Sequence, residues 1–324
     1  MTTLPPFLTA QAADLERAAT LLRAGECVAL PTETVYGLAA DALNPTAVAK
    51  IFQIKGRPLL DPLIVHVSDV QALAEIAVPD ARLEKISTLW PGPLTVVLRR
   101  RSHVPDLVTA GQDTVAVRLP AHPLFRKVLE ICGRPLAAPS ANPFGYISPT
   151  TAEHVRQSLA TGCPWIVDGG PCQHGLESTI IDLSKPGKVR LLRPGPLTLE
   201  ILEQHLGPIE IAQREAAETE AQLAPGMLAR HYSPRTPVKL FALGQRPQVP
   251  PGEAMIYLKR PAGALGPTTF YLAEAGGVEA AAPHLFALLR KLDAGGYPQI
   301  WVELAAPQGL GLAYNDRLAR AAAR

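Results

Sequence analysis

The sequence lacks the features that mark several large protein classes. Its four cysteines, in 324 residues, form no C-x-x-C pair and no Cys/His group with the spacing of a zinc site. A disulfide framework needs more cysteines than this, so we expect free thiols buried in a reducing compartment. No uninterrupted apolar run approaches the roughly 18 residues of a membrane span, and the first residues show no secretory-leader pattern. These absences predict a soluble, cytoplasmic protein with no membrane contact.

An excess of charge of one sign is also missing. The formal net charge is +2, from 31 Lys and Arg against 29 Asp and Glu. The global balance therefore does not require a nucleic-acid partner. Three catalytic signatures, G-x-x-x-x-G-K-[ST], G-x-S-x-G and H-E-x-x-H, do not occur. Their absence weighs against a P-loop enzyme, a serine hydrolase and a zinc protease.

What the sequence does contain is enough apolar material for more than one core. The chain is 47% hydrophobic and long enough for about two domains. Strands alternate with helices, but some neighbouring strands are too close for a crossover helix, which predicts a mixed, partly parallel sheet. Residues 207–237 are polar and then Pro-rich, as in a linker. We therefore expect a larger domain over 1–206, a linker over 207–237 and a small α/β domain over 238–324.

Two local patterns lead to predictions about individual segments. The stretch 31–37 follows a short buried strand but is too polar, and too closely bounded by Pro and Gly, to belong to the core. The apolar run 165–167 predicts a further strand.

Polar side chains collect where predicted strands and helices end. The clusters are Thr32-Glu33-Thr34, Lys55-Gly56-Arg57 with Asp61, Arg118, Ser140-Ala141-Asn142, Glu177-Ser178 and Arg193. Ligands of open α/β sheets bind outside strand ends, so we expect these clusters to converge on one cleft. Three arginines, one lysine and several hydroxyls suit an anionic, phosphate-bearing ligand. Transfer of a phosphoryl or nucleotidyl group needs mainly positioning and charge stabilisation, so no covalent nucleophile is required.

Each cluster also has a purely structural interpretation. Lys55 and Arg57 are compatible with solvated charges favoured by a helix dipole. Ser140 and Asn142 are compatible with a cap or turn, and His66, between two valines, with a structural histidine. Arg118 lies among apolar strand neighbours and is either on a polar face or paired.

Nine segments in order carry a resemblance to a known family. They are PTETVYGLAADA (31–42), IFQIKGRP (51–58), DPLIVHV (61–67), WPGPLT (90–95), VAVRLPAHP (115–123), AAPSAN (137–142), SPTTAEHV (148–155), DGGPCQHGLESTIIDL (168–183) and LLRPGPLT (191–198). With PGMLARHYSP (225–234) in the linker, the chain resembles the longer, two-domain Sua5 type of the YrdC/Sua5 family along essentially its whole length. The resemblance implies a YrdC-like twisted mixed sheet with helices, and a small C-terminal Rossmann-like α/β (Sua5) domain.

The resemblance implies a nucleotidyltransferase, L-threonylcarbamoyladenylate synthase. Such an enzyme condenses L-threonine, bicarbonate or CO2 and ATP to threonylcarbamoyl-AMP and pyrophosphate. The product feeds the t6A modification of tRNA position 37 through downstream t6A-transfer proteins. The implied cofactor is Mg2+ held through the ATP phosphates, with no organic cofactor, and a weak contact with tRNA is a possible addition.

The family pattern also implies roles for individual residues. The implied ATP ligands are Lys55, Arg57, Asp61, Thr114, Ser140, Asn142, Ser148, Arg193 and Tyr232, the last as part of a lid. The implied L-threonine ligands are Thr34, His66, Arg118, Ala138 and Ser178, with Arg118 as partner of the substrate carboxylate. Many family members have Asn in place of Asp61, and an Asp adds negative charge beside a triphosphate unless it helps to hold Mg2+.

Two other functions stay open at this point. A carbamoyltransferase relative uses the same fold, but such chains carry additional catalytic domains. A double-stranded-RNA-binding translation or ribosome factor would use the basic cleft for backbone phosphates. The linker discriminates between these classes, because a lid suits a small ligand and obstructs a duplex.

Overall fold

The computed structural model describes residues 5–159, 162–163, 165–212, 222–226 and 231–323. Within these residues, nine strands form one sheet and four form a second. The strands are β1 Val28–Leu30, β2 Gly37–Asp41, β3 Ile64–His66, β4 Leu94–Arg99, β5 Thr114–Arg118, β6 Leu136–Ala137, β7 Thr179–Asp182, β8 Arg190–Arg193, β9 Glu210–Ile211, β10 Val238–Phe241, β11 Ala254–Lys259, β12 Thr269–Ala273 and β13 Ile300–Glu303. The helices are α1 Ala12–Arg23, α2 Pro45–Lys55, α3 Val70–Ile76, α4 Asp106–Thr109, α5 Pro123–Cys132, α6 Ala152–Leu159, α7 Leu199–Leu206, α8 Val278–Ala294 and α9 Leu310–Ala322, with a 3-10 helix over Ala81–Leu89.

The first sheet is mixed, as predicted. Its order is β1-β2-β6-β3-β5-β4-β7-β8-β9. The pairs β3–β5 and β4–β7 are parallel, whereas β4–β5 and β7–β8 are antiparallel. This mixture brings the ends of strands that are distant in sequence to the same edge of the sheet.

The second sheet is parallel and contains β10, β13, β11 and β12 in that order. Helix α8 packs against β11 and β12, and α9 packs against β10. The small C-terminal α/β unit predicted from the sequence is therefore present. The boundaries at residues 206 and 237 stay predictions.

The two parts of the chain pack tightly against each other. One apolar cluster combines Val35, Leu176 and Tyr232 with the core around α8. Gly175 adopts φ +67°, and a Cβ there would lie 2.6 Å from the Pro283 Cα, so α8 approaches this loop closely. The Arg290 guanidinium, on α8, donates hydrogen bonds to the backbone carbonyls of residues 147 and 148, in the loop between β6 and α6. The C-terminal part thus covers the edge where the polar clusters lie.

The prediction that segment 31–37 lies outside the core is wrong. Every residue from 28 to 42 is buried, and the segment leads directly into β2, a strand that the sequence pattern did not indicate. Its polar side chains are tolerated in the interior because they pair with one another and with Arg118. Strand β2 reads Gly-Leu-Ala-Ala-Asp and lacks the β-branched residues that mark strands.

Residues 165–167 do not form a strand of either sheet. Ile166 and Val167 make only isolated bridges, to Ala29 and Leu8. The predicted burial of free thiols is confirmed, since Cys27, Cys132, Cys163 and Cys172 are all free and buried. In the part of the chain that the structure describes, no helix combines the length and apolar character that a membrane crossing needs.

Candidate active site

A small cavity lies where the polar strand ends of the first sheet meet the linker. Its free volume is about 40 Å³, room for a few water molecules. Nine of the fourteen predicted ligand residues line it: Thr34, Arg57, His66, Arg118, Ala138, Ser140, Ser178, Arg193 and Tyr232. The linker contributes Pro225, Gly226, His231 and Tyr232 to the wall. The convergence of the clusters on one site therefore matches the geometry, while the role of each residue stays a prediction.

Five predicted residues lie outside the lining. Lys55 and Asn142 act on the loop that carries Ser140: Lys55 Nζ donates to the Ser140 carbonyl (2.6 Å) and to the Asn142 carbonyl (2.5 Å). The Asn142 side-chain amide donates to the carbonyls of Pro143 and Tyr146. Burial lowers the pKa of Lys55, and at 4% exposure it is not a solvated helix-end charge. These contacts show both residues holding this loop in place.

Arg57 and Asp61 form a buried ion pair beside the cavity. Arg57 Nη2 lies 2.9 Å from Asp61 Oδ2, and the guanidinium also donates to the backbone carbonyls of Asp61 and Pro62. Both Asp61 carboxylate oxygens lack a well-oriented hydrogen-bond donor among the described residues. Burial raises the pKa of Asp61, and the surrounding cations oppose that rise. Asp61 thus partly neutralises Arg57, and it does not line the cavity.

Thr114 and Ser148 are the other predicted ligands outside the lining. Thr114 is the first residue of β5, opposite Arg99, and its hydroxyl has no hydrogen-bond partner among the described residues. The Ser148 hydroxyl donates to Glu177 Oε1 at 2.5 Å. Ser148 therefore contacts a cavity residue, whereas the Thr114 side chain makes no hydrogen bond to one among the described residues.

Arg118 is buried and paired with a residue that the sequence did not assign. Its guanidinium donates to Glu33 Oε1 (2.5 Å), Thr34 Oγ1 (3.0 Å) and the Gly92 carbonyl (3.3 Å). Burial tends to raise the pKa of Glu33, but the ion pair with Arg118 and several hydrogen bonds hold it below its ordinary value. Glu33 belongs to one of the polar clusters seen in the sequence, but its pairing with Arg118, 85 residues later, could not be seen there.

Arg193 connects the sheet with the linker. It donates to the Ser178 carbonyl and hydroxyl, both at 3.1 Å, and to the Pro225 carbonyl at 3.2 Å. The Ser178 hydroxyl is also 2.7 Å from Thr95 Oγ1. All of these acceptors are uncharged, so the positive charge of Arg193 is available to an anion in the cavity.

Glu177 and Arg317 link the cavity to the C-terminal part of the chain. Arg317, from α9, is fully buried and donates from Nε to Glu177 Oε2 at 2.6 Å and from Nη2 to the Pro194 carbonyl at 3.0 Å. Glu177 lines the cavity and is also the acceptor for Ser148. Sequence reasoning missed Arg317, because no local pattern relates it to a residue 140 positions earlier.

Replacing Arg317 with Ala should strongly destabilise the fold. Removing one partner of a buried pair leaves the other charge uncompensated, which costs about 3–5 kcal/mol of unfolding free energy. Urea unfolding followed by circular dichroism measures the loss. Lys127→Ala is the matched control: it breaks the exposed Lys127–Glu130 pair and should cost less than about 1 kcal/mol. Equal losses in the two variants would contradict this role of Arg317.

Two histidines at the cavity are held neutral. Burial, with help from the charge of Arg118, lowers the pKa of His66 to about 3. Burial and nearby cations also lower the pKa of His231 well below its ordinary value. His66 Nδ1, His231 Nδ1 and the Tyr232 hydroxyl have no hydrogen-bond partner among the described residues. These three groups are buried polar atoms at a cavity wall, where a ligand is able to supply the missing bonds.

The low pKa of His66 predicts a pH dependence of stability. Between pH 6.5 and about 3 the unfolded chain binds a proton at His66 that the folded chain does not. The contribution of His66 to the unfolding free energy is therefore fully present above pH 6.5 and decreases as the pH falls toward 3. His66→Gln removes this titratable group. Between pH 4 and 6, its unfolding free energy should therefore rise less steeply with pH than that of the wild type, by up to ~1.4 kcal/mol per pH unit. Identical slopes in urea unfolding would show that His66 titrates alike in both states.

Comparison with known proteins places this architecture in an enzyme class. The family model described as "Telomere recombination" (Sua5, YciO, YrdC) matches residues 20–195, and the model described as "Threonylcarbamoyl-AMP synthase, C-terminal domain" matches residues 197–323. A mixed sheet with a buried cationic site, followed by this C-terminal domain, defines an enzyme of the nucleotidyltransferase type.

Individual relatives agree along nearly the full length. The threonylcarbamoyl-AMP synthase of Pyrococcus abyssi is 41% identical over 94% of this chain and 92% of its own, and that of Schizosaccharomyces pombe is 36% identical over 98% and 90%. The crystal structure of P. abyssi Sua5 complexed with L-threonine superposes with a TM-score of 0.90 at 38% identity, covering 98% of both chains. The chain belongs to the Sua5/YciO/YrdC family, which confirms the resemblance seen in the sequence.

Proposed function

We propose that this chain is an L-threonylcarbamoyladenylate synthase, which joins L-threonine, bicarbonate or CO2 and ATP into threonylcarbamoyl-AMP and pyrophosphate for tRNA t6A37 formation. The observation that carries the proposal is the cavity itself. Three buried arginines, Arg57, Arg118 and Arg193, line a small cavity together with several hydroxyls. This donor set suits one carboxylate and one polyphosphate. The relative crystallised with L-threonine supports the amino-acid half.

The substrate carboxylate would bind at the Arg118 side of the cavity. Arg118, Thr34 and His66 lie on adjoining walls with Ala138 and Ser178. A neutral His66 offers hydrogen bonds without adding a charge. The L-threonine carboxylate would pair with Arg118, and the side-chain hydroxyl would meet the neutral polar groups.

ATP would bind at the Arg57 and Arg193 side. Arg57, Ser140 and Arg193 would contact the phosphates directly. Lys55 and Asn142 would act through the loop that they hold, and Ser148 through Glu177. Tyr232 would cover the nucleotide. Asp61 would act through its ion pair with Arg57 or through Mg2+ on the phosphates, and Thr114, outside the cavity lining, would act indirectly.

The reaction needs positioning and charge stabilisation more than a protein nucleophile. The threonine amine gives a carbamate either with CO2, releasing a proton, or with bicarbonate, releasing water. One carbamate oxygen then attacks the α-phosphorus of ATP. An O–Pα bond forms, the bond to the β-phosphate oxygen breaks, and pyrophosphate leaves. Negative charge on the phosphate oxygens would be stabilised by fixed guanidinium groups in a site shielded from water.

Mg2+ fits this site as a companion of the nucleotide. Among the described residues, no group of three His, Cys, Asp or Glu side chains is placed to hold a metal ion. The buried Asp61 carboxylate, with both oxygens lacking a well-oriented donor, is a candidate for one protein ligand. Mg2+ commonly binds through one or two carboxylates together with substrate phosphates, and it would neutralise phosphate charge there.

The linker would have to move for substrates to enter. A free volume of about 40 Å³ is far below the roughly 300–1,000 Å³ of small-molecule pockets. Tyr232 is 1% exposed, adopts φ +60° and stacks on Phe286 of α8. The linker would therefore open for ATP and close over it, which excludes water during transfer.

The geometry speaks against the RNA-binding alternative as the main function. Arg57, Arg118 and Arg193 are each 7% exposed or less, and linker residues line the same cavity. A duplex would need these cations at the surface. Contacts with tRNA and with downstream t6A-transfer proteins stay part of the proposal.

Pyrophosphate release tests the proposed function. Purified protein with ATP and Mg2+ should release pyrophosphate at its full rate only when both L-threonine and bicarbonate are present. Lys127→Ala, at an exposed position, should behave like the wild type in this omission series. Release that is equally fast without L-threonine and bicarbonate would overturn the proposal.

A further inference from the structure

A second cavity lies in the C-terminal part of the chain, away from the candidate active site. It has a volume of about 350 Å³ and opens at the carboxyl ends of β10, β11 and β13. Its lining includes the loop after β10, the last residues of β11 and Glu303 at the end of β13. None of these residues takes part in the proposed synthesis reaction.

The strand order places this cavity at a topological switch point. In the order β10-β13-β11-β12, the chain leaving β11 continues to β12 on one side. The chain leaving β13 enters α9, which packs against β10 on the other side. Where neighbouring strands send their connections in opposite directions, a crevice forms at the carboxyl ends, and ligands of open α/β sheets bind there.

Backbone hydrogen bonds to Glu303 fix the shape of the crevice. Glu303 is 6% exposed, and its carboxylate accepts from the Gly244 N–H (2.8 Å) and from the Leu258 N–H (2.9 Å). These bonds tie the loop after β10 to the end of β11. They also compensate the negative charge of Glu303 inside the wall.

Three basic side chains also line the cavity, and Glu303 is the one acidic residue among the described residues of its lining. Arg246, Lys259 and Arg260 all border the cavity. Arg260 shares its charge with the exposed Glu274, 3.2 Å away, so Arg246 and Lys259 supply most of the positive charge. Gly244 has φ +76°, a conformation that favours glycine and leaves the backbone open to close approach. Leu258 and the Tyr257 ring add apolar surface.

We propose that this cavity binds a small phosphate-bearing molecule. Arginine and lysine on a concave wall suit phosphate oxygens, and apolar surface beside them suits an attached organic group. A volume of about 350 Å³ lies within the roughly 300–1,000 Å³ range of small-molecule sites. A concave crevice of this size favours a small molecule over the extended backbone of an RNA.

Hydrogen exchange measured by mass spectrometry tests this site on the full-length protein, because it resolves the two cavities. The probes are AMP, inorganic pyrophosphate and unmodified tRNA. AMP or pyrophosphate should slow amide exchange in 242–246 and 257–261, separately from any effect around Arg57. In Arg246→Ala/Lys259→Ala, the affinity for this second site should fall about tenfold for each cation removed, ~1.4 kcal/mol each.

Two controls separate this site from the proposed active site. The cavity borders the N-terminal end of α8, next to Gly276. Lys291→Ala removes an exposed lysine near the C-terminal end of α8 and should leave protection of 242–246 unchanged. Both Arg246→Ala/Lys259→Ala and Lys291→Ala should release pyrophosphate from ATP at the wild-type rate. The proposal is overturned if neither small probe protects these segments at about 10 mM, a concentration that would reveal even millimolar affinity. Protection by tRNA alone, or protection that survives in the double variant, would overturn it as well.

Discussion

Replacing Arg118 with Ala is expected to raise the KM for L-threonine by about 100-fold, equal to ~2.7 kcal/mol, with little change in the KM for ATP. The guanidinium uses three of its five N–H donors on Glu33, Thr34 and Gly92. Two donors remain for the substrate carboxylate, at a position that is 4% exposed. Charge-assisted bonds of this kind are the strong ones, and their loss should appear in steady-state kinetics with L-threonine as the varied substrate.

A second variant separates binding from stability. Arg118→Ala leaves Glu33 buried without its cation, so the single variant should also unfold more readily. Glu33→Gln/Arg118→Ala removes both charges and should recover much of the stability without recovering L-threonine affinity. A normal KM for L-threonine in the folded double variant would mean that Arg118 has only a structural role.

Replacing Arg57 with Ala is expected to lower kcat/KM for ATP by about 1,000-fold, ~4 kcal/mol of transition-state stabilisation. Arg57 lines the cavity at 7% exposure and is held by the Asp61 carboxylate and two backbone carbonyls. A guanidinium fixed in this way needs little reorganisation when charge develops on the phosphates. Kinetics with ATP as the varied substrate should show the loss, whereas L-threonine binding, followed by calorimetry, should change only slightly.

The partner of Arg57 again provides the control. Arg57→Ala leaves Asp61 as an unpaired buried carboxyl, which lowers stability by itself. Arg57→Ala/Asp61→Asn relieves that cost and should remain as inactive toward ATP as the single variant. Recovery of ATP turnover in the double variant would show that Asp61, and not the missing guanidinium, caused the defect.

The convergence of the polar clusters on one cavity was predictable, because strand ends meet at one edge of a sheet. The polar clusters at the ends of β1, β5, β6 and β8 are visible in the sequence as breaks in apolar runs. The structure brings residues as distant as Thr34 and Arg193 to the same cavity. The burial of the four thiols and the small C-terminal α/β unit were predictable from local sequence patterns.

The pairing partners were not predictable, because they depend on the packing of distant elements. Glu33 is satisfied by Arg118, and Glu177 by Arg317 from the other end of the chain. Segment 31–37 looks too polar for the core in the sequence, yet every one of its residues is buried once these partners are in place. The family pattern implies a triphosphate contact for Lys55, but the contact of its ammonium group with the carbonyls of the Ser140 loop could not be seen in the sequence.

The identity of the product is the most direct test of the proposed activity. The protein would be incubated with ATP, Mg2+, L-threonine and 13C-bicarbonate, and the products analysed by mass spectrometry. We expect threonylcarbamoyl-AMP that carries a single 13C atom, in amounts equal to the pyrophosphate released. Pyrophosphate or AMP formed by well-folded protein without any labelled adenylate would contradict the proposed reaction.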